Sequence, residues 1–380
     1  MNLNGNTAIA GIGQTEFSKD SGRSELQLAA EASIAAIRDA GLSPADIDGT
    51  VSFFEDTNDE LQLVRALGIE NLGWVSRTRF GGGSASATIQ QAAAAVASGA
   101  ATAVLVYRAF NERSGRRFGQ PIQQEGPPQR NLHFSFGLDT PAKIYSLWYK
   151  RYMERYGLTN EDLAHYVVAA RDYAATNPTA WYYERPTSIE EHQQSRWIVE
   201  PVLRRMDCCQ ESDGGCALIV TTAERARDLR QPLVPILGAA NCNLRNGDIL
   251  FDYYRDDPGE FPEATQVANK LWNITGLRPQ DMDLAMLYEN FSPVIFMMLE
   301  AHGFVPRGGA SDFVKSGQTR LDGALPTNPN GGLIGEGYIH GYNNMTEAVR
   351  QMRGTAANQV VDAETAFVSS GRSAFILGRG

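Results

Sequence analysis

The chain has 380 residues, of which 43% are hydrophobic, and carries a formal net charge of −10 at neutral pH. One hydrophobic core rarely supports this length, so we expect two halves, residues 1–230 and 231–380. The acidic balance and the lack of a basic block exclude nucleic acid as an expected partner, because binding phosphates requires clustered Lys and Arg side chains.

In the first half, apolar and β-branched segments alternate with helical patterns. The strands are predicted at 7–12, 49–54, 102–107 and 216–221, and the helices at 24–40 and 84–98. This alternation predicts an α/β protein with a largely parallel sheet covered by helices. Residues 111–205 depart from it, with aromatic-rich helices predicted at 145–156 and 161–175. We interpret this segment as an inserted loop domain that covers a ligand.

A second α/β series begins near residue 232 and repeats the order of strand, tight turn and buried helix. Its strands are predicted at 233–239, 284–288, 365–369 and 374–378, and its helices at 262–275, 292–302 and 338–352, with a glycine-rich loop at 330–337. The repeated order indicates an internal structural duplication.

Cysteines and apolar stretches indicate the compartment. The four cysteines lie between residues 208 and 242 without a C-x-x-C pair, so neither a disulfide framework nor a metal site is expected. The sequence MNLNGNTAIA has no basic segment and no long apolar run, so no signal peptide is expected. The longest apolar stretch, 92–107, is too short to cross a bilayer. We therefore expect a cytoplasmic protein that does not bind membranes.

Three glycine- or aromatic-rich segments carry a family resemblance: RFGGGSASA at 79–87, YENF at 288–291 and NPNGGLIGEGYIHG at 328–341. Together with DCC and SDGG between 207 and 215, they resemble the thiolase superfamily of the sterol-carrier-protein type. The resemblance covers nearly the whole chain. It implies the thiolase fold, in which two similar α/β halves form five α-β-α-β-α layers and the loop domain is inserted in the first half.

The chain departs from the thiolase pattern at each position that carries chemistry. Gly83 stands where those enzymes carry the nucleophilic cysteine, and Ser370 lies near the position of their second cysteine. Tyr288 replaces an Asn or His, and Tyr338 replaces a His. This set of replacements resembles the thiolase-like aldolases of bacterial steroid side-chain degradation, which are often called lipid-transfer proteins.

Without the nucleophilic cysteine, a different bond cleavage is expected. Thiolases cleave a β-ketoacyl thioester and must capture the departing acyl group. A β-hydroxyacyl thioester instead breaks by retro-aldol cleavage, in which a complete ketone departs. The resemblance therefore implies a carbon–carbon lyase that converts a 17-hydroxy steroid with a C22 side-chain CoA thioester to a ketosteroid and propionyl-CoA. No covalent acyl-enzyme and no cofactor are expected, since coenzyme A is part of the substrate.

Tyr288 and Tyr338 are the predicted catalytic residues. Both could donate hydrogen bonds to the thioester enolate, or one could act as base and the other as acid. A tyrosine base at neutral pH would need a lowered pKa. Seven further residues are candidates for binding the substrate or its oxyanion: Gly83, Ser84, Asn290, Gly331, Gly332, His340 and Asn343. Gly83 would leave room for the ketone at a helix start.

An alternative from another class stays open: a non-catalytic, degenerate thiolase that binds acyl-CoA or lipid, or serves as a scaffold. The partners that the resemblance implies are an acyl-CoA thioester, a second copy of the chain in a homodimer, and the OB-fold and zinc-ribbon domain of an acyl-CoA hydratase.

Overall fold

The computed structural model describes residues 5–121, 133–245, 247 and 255–380. Part of the predicted insertion, residues 122–132, therefore lies outside the described residues. The strands of the first sheet are β1 (Thr7–Gln14), β2 (Gly49–Phe53), β3 (Trp74–Thr78), β4 (Ala103–Asn111) and β7 (Asp213–Thr222). Between β4 and β7 lies a small hairpin of β5 (Trp197–Val199) and β6 (Leu203–Arg204).

The first sheet is mixed, so the prediction of a largely parallel sheet is wrong. Its order is β1-β7-β4-β2-β3, with β2 parallel to β3 and β4, and β7 antiparallel to β1 and β4. Asn111 at the end of β4 pairs with Asp213 at the start of β7. The insertion thus leaves and re-enters at the same end of the sheet, which makes the returning strand antiparallel.

Most helices of the first half and of the insertion, though not α3, are capped by local sequence signals. They are α1 (Glu25–Ala40), α2 (Glu60–Leu67), α3 (Ala87–Ala97), α4 (Pro141–Tyr156), α5 (Asn160–Thr176), α6 (Ile189–Gln194) and α7 (Ala223–Arg227). In α1, Ser24 accepts a hydrogen bond from the Gln27 amide, and Gly41 ends the helix in the left-handed conformation. α2 and the edge strand β3 were not predicted from the sequence.

The second sheet consists of β8 (Ile236–Asn241), β9 (Leu284–Leu287), β10 (Thr365–Ser369) and β11 (Ser373–Gly378) in the order β8-β11-β10-β9. The helices of this half are α8 (Pro262–Thr275), α9 (Pro293–Ala301), α10 (Ala310–Lys315), α11 (Gly332–Gly335) and α12 (Tyr342–Arg353). α12 begins at Tyr342 rather than at the predicted residue 338. His340 and Gly341 have φ angles of 51° and 81°, which a right-handed helix excludes.

Two helices lie between the sheets. α3 packs on β2, β4 and β7 of the first sheet and on β8 and β11 of the second, and α12 likewise contacts strands of both. The small side chains of α3, such as Ala92, Ala93 and Ala95, let the two sheets approach this helix closely. α1 covers the outer face of the first sheet and α8 that of the second. The predicted five-layered α-β-α-β-α arrangement is confirmed. The division at residues 230 and 231 stays a prediction.

Candidate active site

The two predicted catalytic tyrosines meet in the protein interior. Tyr288 directly follows β9, and its amide donates to the Ser369 carbonyl at 2.8 Å. Tyr338 lies after α11, and its amide donates to Ser212 Oγ at 3.3 Å. The two phenol oxygens are 2.7 Å apart, a hydrogen bond in which either oxygen can be the donor. Both side chains are buried. The two tyrosines therefore lie close enough to act on one substrate, and their catalytic role stays a prediction.

The glycine turn before α3 faces this pair, but through Gly82 instead of Gly83. A Cβ atom on Gly82 would lie 2.5 Å from Tyr288 Oη, whereas one on Gly83 would lie 3.3 Å from Arg372 Cγ and from the Ser370 carbonyl. Residues 82–84 form a 3-10 turn, so α3 starts at Ala87 and not at the predicted residue 84. A Cβ on Gly83 would point to the C-terminal turn, yet Gly83 lines the same cleft as Tyr288, and its role in leaving room for the ketone stays a prediction.

That C-terminal turn joins β10 to β11 and is tied to the glycine turn. The Arg372 amide donates to the Gly83 carbonyl at 2.9 Å, and the Ser86 amide donates to Ser370 Oγ at 3.2 Å. The positions of both missing cysteines therefore lie side by side, although they are far apart in sequence.

His340 is a neutral side chain beside Tyr338. Its ring centroid is 4.9 Å from that of Tyr338, and its Nδ1 accepts from Arg108 Nε at 3.4 Å. Burial and the Arg108 guanidinium hold the pKa of His340 well below its ordinary value. Since Nδ1 is the acceptor, the ring proton belongs on Nε2. Sequence reasoning missed Arg108; its signal was a single arginine within the apolar strand β4.

Asn290 lies beside Tyr288 in the cleft, and Ser84 ends the glycine turn; neither is hydrogen-bonded to a phenol within the described residues. Asn290 lines the cleft next to Tyr288, and its Oδ1 accepts from Tyr149 Oη at 3.3 Å. Ser84 Oγ is buried and finds no hydrogen-bond partner among the described residues. The structure thus places Asn290 next to Tyr288, and the role of Ser84 stays a prediction.

Gly331, Gly332 and Asn343 shape the glycine-rich loop, and their contacts are not to the phenols. A Cβ on Gly331 would lie 2.7 Å from Ala174 Cβ in α5, and one on Gly332 would lie 1.7 Å from Glu289 Oε1. Asn343 Nδ2 donates to Glu336 Oε2 at 2.9 Å. These residues therefore allow the loop to pack closely and do not orient the tyrosines.

Glu289 anchors this loop and gives a prediction for the pH dependence of stability. Its Oε1 accepts from the Leu333 amide at 2.7 Å, and burial raises the pKa of its carboxyl from 4.5 to about 8. Between these pKa values the folded protein binds the proton and the unfolded chain does not, so the contribution of Glu289 to the free energy of unfolding falls as pH rises from 4.5 to 8. We expect Glu289→Gln to remove on the order of a few kcal/mol of this fall.

Chemical denaturation of both proteins at pH 5 and pH 8 measures this difference. Glu364→Gln, at an exposed glutamate, is the control and should keep the pH dependence of the unmodified protein. The same pH dependence in Glu289→Gln as in the unmodified protein would contradict the assignment.

Tyr288 lines a narrow cleft of about 50 Å³ whose wall is mostly apolar, and Tyr338 lies behind it at hydrogen-bond distance. Aromatic and methionine side chains from α4, α9 and the loop before α8 form this wall: Tyr145, Trp148, Tyr149, Phe261, Met297 and Met298. Burial raises the pKa of Tyr288 and of Tyr338 well above the ordinary value. Neither phenol is ionised at neutral pH, contrary to the lowered pKa that a resting tyrosinate base would need.

Within the described residues, no group of three or more His, Cys, Asp or Glu side chains is arranged to hold a metal ion. A search of the same residues finds no helix whose length and apolar character would let it traverse a bilayer.

Comparisons with known proteins give a consistent result. The family model Thiolase C-terminal domain-like matches residues 253–375. The chain is 49% identical to a steroid side-chain-cleaving aldolase of Thermomonospora curvata over 99% of this chain and 98% of that protein. It is 47% identical to the 17-hydroxy-3-oxo-4-pregnene-20-carboxyl-CoA lyase of Mycobacterium tuberculosis, over 99% of this chain and 100% of that protein.

Solved structures extend the comparison to the fold. The structure of an Ltp2-ChsH2(DUF35) aldolase matches with a TM-score of 0.94 and 48% identity, covering 100% of this chain and 99% of that one. Human mitochondrial 3-ketoacyl-CoA thiolase in complex with CoA matches with a TM-score of 0.69 at 15% identity, covering 100% of this chain and 99% of that one. The predicted thiolase fold is confirmed.

Proposed function

We propose, from the premise that this chain belongs to the thiolase-like family of steroid side-chain-cleaving aldolases, that its buried tyrosine pair cleaves a 17-hydroxy steroid CoA thioester. The chain is a carbon–carbon lyase. A hydrogen bond of 2.7 Å joins Tyr288 Oη to Tyr338 Oη, and Gly82, which has no side chain, lies beside Tyr288. This observation carries the assignment of the lyase activity to this site.

The proposed reaction balances without an acyl acceptor. The tertiary hydroxyl on the steroid ring loses its proton, and its oxygen forms the ketone. The bond between the ring carbon and the carbon next to the thioester carbonyl breaks, and its electron pair forms a thioester enolate. Protonation of the enolate carbon gives propionyl-CoA. One proton is taken up and one is returned, so no water, cofactor or covalent intermediate is required.

The phenol pair can move this proton while both phenols stay neutral. Burial raises the pKa of both tyrosines, so a free tyrosinate is unfavourable in this cleft. If one phenol accepts the substrate proton while its own proton passes across the 2.7 Å hydrogen bond, the second phenol can release its proton to the enolate carbon. Such a relay avoids a buried charge on either tyrosine.

His340 is a proposed donor to the enolate oxygen. Its Nδ1 is engaged by Arg108 at 3.4 Å, which leaves the N–H on Nε2, at 3.7 Å from Glu55 Oε2. A neutral imidazole can donate a hydrogen bond to a developing negative charge without giving up its proton to the enolate. The apolar wall of the cleft suits a hydrocarbon part of the substrate.

A turnover assay separates the lyase from the non-catalytic alternative. We expect the protein, assayed alone and with the hydratase partner, to convert the 17-hydroxy steroid CoA thioester to equal amounts of ketosteroid and propionyl-CoA. The rate of the protein assayed alone should be the same with and without EDTA, because no cofactor takes part. Binding of the thioester without either product under both conditions would support a degenerate, non-catalytic protein.

Two protein partners complete the proposal. The exposed strand β3 lies at one edge of its sheet and presents Val75, with Phe80 exposed just beyond it. We propose that two copies pair along this edge and that the OB-fold and zinc-ribbon domain of an acyl-CoA hydratase binds the resulting homodimer. Light scattering should give a dimer mass for the unmodified chain and a monomer mass for Val75→Asp. A monomer mass for the unmodified chain would refute the pairing.

A further inference from the structure

A basic groove of about 1010 Å³ lies apart from the tyrosine cleft. Its walls come from β1 and α1 in the first half, from residues 178–185 of the insertion, and from α12 in the second half. Five arginines line it: Arg38, Arg185, Arg230, Arg350 and Arg353. The acidic side chains in the lining are Glu16 and Asp39, so the groove is basic in a chain whose net charge is −10.

Three of these arginines, Arg38, Arg185 and Arg230, are exposed at the rim of the groove. No acidic side chain among the described residues pairs with them. Arg230 Nη1 donates to the carbonyl of Arg38 at 3.3 Å, which brings Arg230 next to α1. The Arg185 guanidinium lies 5.1 Å from the ring centroid of Trp181. The rim therefore offers guanidinium groups whose charges are not neutralised within the described chain.

The floor is built from arginines that are held in place. Arg353 Nη1 donates to Asp39 Oδ2 at 2.7 Å and its Nη2 to the Ala10 carbonyl at 3.0 Å. Its side chain is 4% exposed, and its buried Nε has no hydrogen-bond partner among the described residues. Arg350 Nη2 donates to Gln14 Oε1 at 3.0 Å. A buried donor without a partner in a basic groove indicates that an acceptor belongs there.

The two acidic residues do not cancel this charge. Asp39 is bound by Arg353 and also accepts from Gln231 Nε2 at 2.8 Å, and Glu16 pairs with Arg23, which is not part of the lining. The Asp39 carboxylate and the Arg353 guanidinium compensate each other, which leaves an excess of positive charge at the rim.

We infer that this groove binds a multiply charged phosphate anion, the pyrophosphate group of a nucleotide or free pyrophosphate. Guanidinium groups match phosphate oxygens with two parallel N–H donors, and several converge here on one concave site. Three separate parts of the chain enclose the groove, which suits a compact ligand better than a flat protein surface. The inference does not depend on the lyase activity, because no tyrosine of the catalytic pair lines this groove.

Isothermal titration calorimetry with inorganic pyrophosphate at low ionic strength tests the site. We expect saturable binding that is at least about tenfold weaker in the double variant Arg38→Gln/Arg230→Gln. The control is Arg65→Gln/Arg278→Gln, which removes two exposed arginines outside the groove and should bind as the unmodified protein does. Tyr338→Phe should also leave binding unchanged, which separates this site from the lyase cleft.

Titration with ADP identifies the source of the phosphate. Tighter binding of ADP than of pyrophosphate indicates a nucleotide, and equal or weaker binding indicates free pyrophosphate. Three results would overturn the inference: no saturable binding of pyrophosphate, equal weakening in both double variants, or binding of oligoglutamate without binding of pyrophosphate. The last result would assign the groove to an acidic protein segment.

Discussion

Replacing Tyr338 by Phe should lower kcat on the order of a thousandfold, because it removes one hydroxyl of the proton relay. Tyr288→Phe should cause a similar loss. The double variant should be little worse than either single variant, since residues that act as one unit do not contribute additively. The measurement is the release of ketosteroid and propionyl-CoA from the 17-hydroxy thioester under saturating conditions.

Tyr342→Phe is the matched control for this pair. Tyr342 is a buried tyrosine at the start of α12, four residues beyond Tyr338, and its loss of a hydroxyl should leave kcat unchanged. Near-normal turnover in both Tyr288→Phe and Tyr338→Phe would exclude the tyrosine mechanism and leave the fold assignment intact.

The pH profile distinguishes the neutral relay from a tyrosinate base. A resting tyrosinate would make kcat rise about tenfold per pH unit below the pKa of the phenol. Burial raises that pKa in both tyrosines, and the relay uses only neutral phenols, so we expect kcat to stay flat from pH 6.5 to 8.5.

Gly82→Ala should also cause a large loss of activity, on the order of a hundredfold. The added Cβ would lie 2.5 Å from Tyr288 Oη and 3.0 Å from its Cζ, so the phenol must move. Tyr288 is buried, and its displacement stretches the hydrogen bond to Tyr338. The overpacking should reduce the free energy of unfolding by about 1–3 kcal/mol, which thermal unfolding can measure alongside kcat.

Gly83→Ala, at the neighbouring position, is the control that tests which of the two glycines faces Tyr288. Its Cβ would meet Arg372 and Ser370 at 3.3 Å, contacts that small shifts can relieve. We expect it to keep most of the activity. A larger loss in Gly83→Ala than in Gly82→Ala would show that the space for the substrate lies at Gly83, as the sequence pattern predicts.

Much of the architecture was accessible from hydrophobic periodicity. The helix at 24–40 and the strand at 365–369 agree closely with α1 and β10, because capping residues and β-branched runs are local signals. The edge strand β3 was missed, since WVSRT has two apolar residues followed by three polar ones and so shows neither alternation nor a long apolar run. The direction of β7 depends on the end of the sheet at which the chain returns after the insertion that follows β4, and no local sequence pattern encodes this.

The sequence by itself determined the absence of both thiolase cysteines and the presence of two tyrosines at matching positions, because these are properties of residue identity and order. Only the tertiary structure decided that Gly82 faces Tyr288, since the direction of a side chain depends on the backbone of the 3-10 turn. It also decided the protonation of the site. Burial raises the pKa of both phenols and lowers that of His340, and burial arises from elements that are distant in sequence.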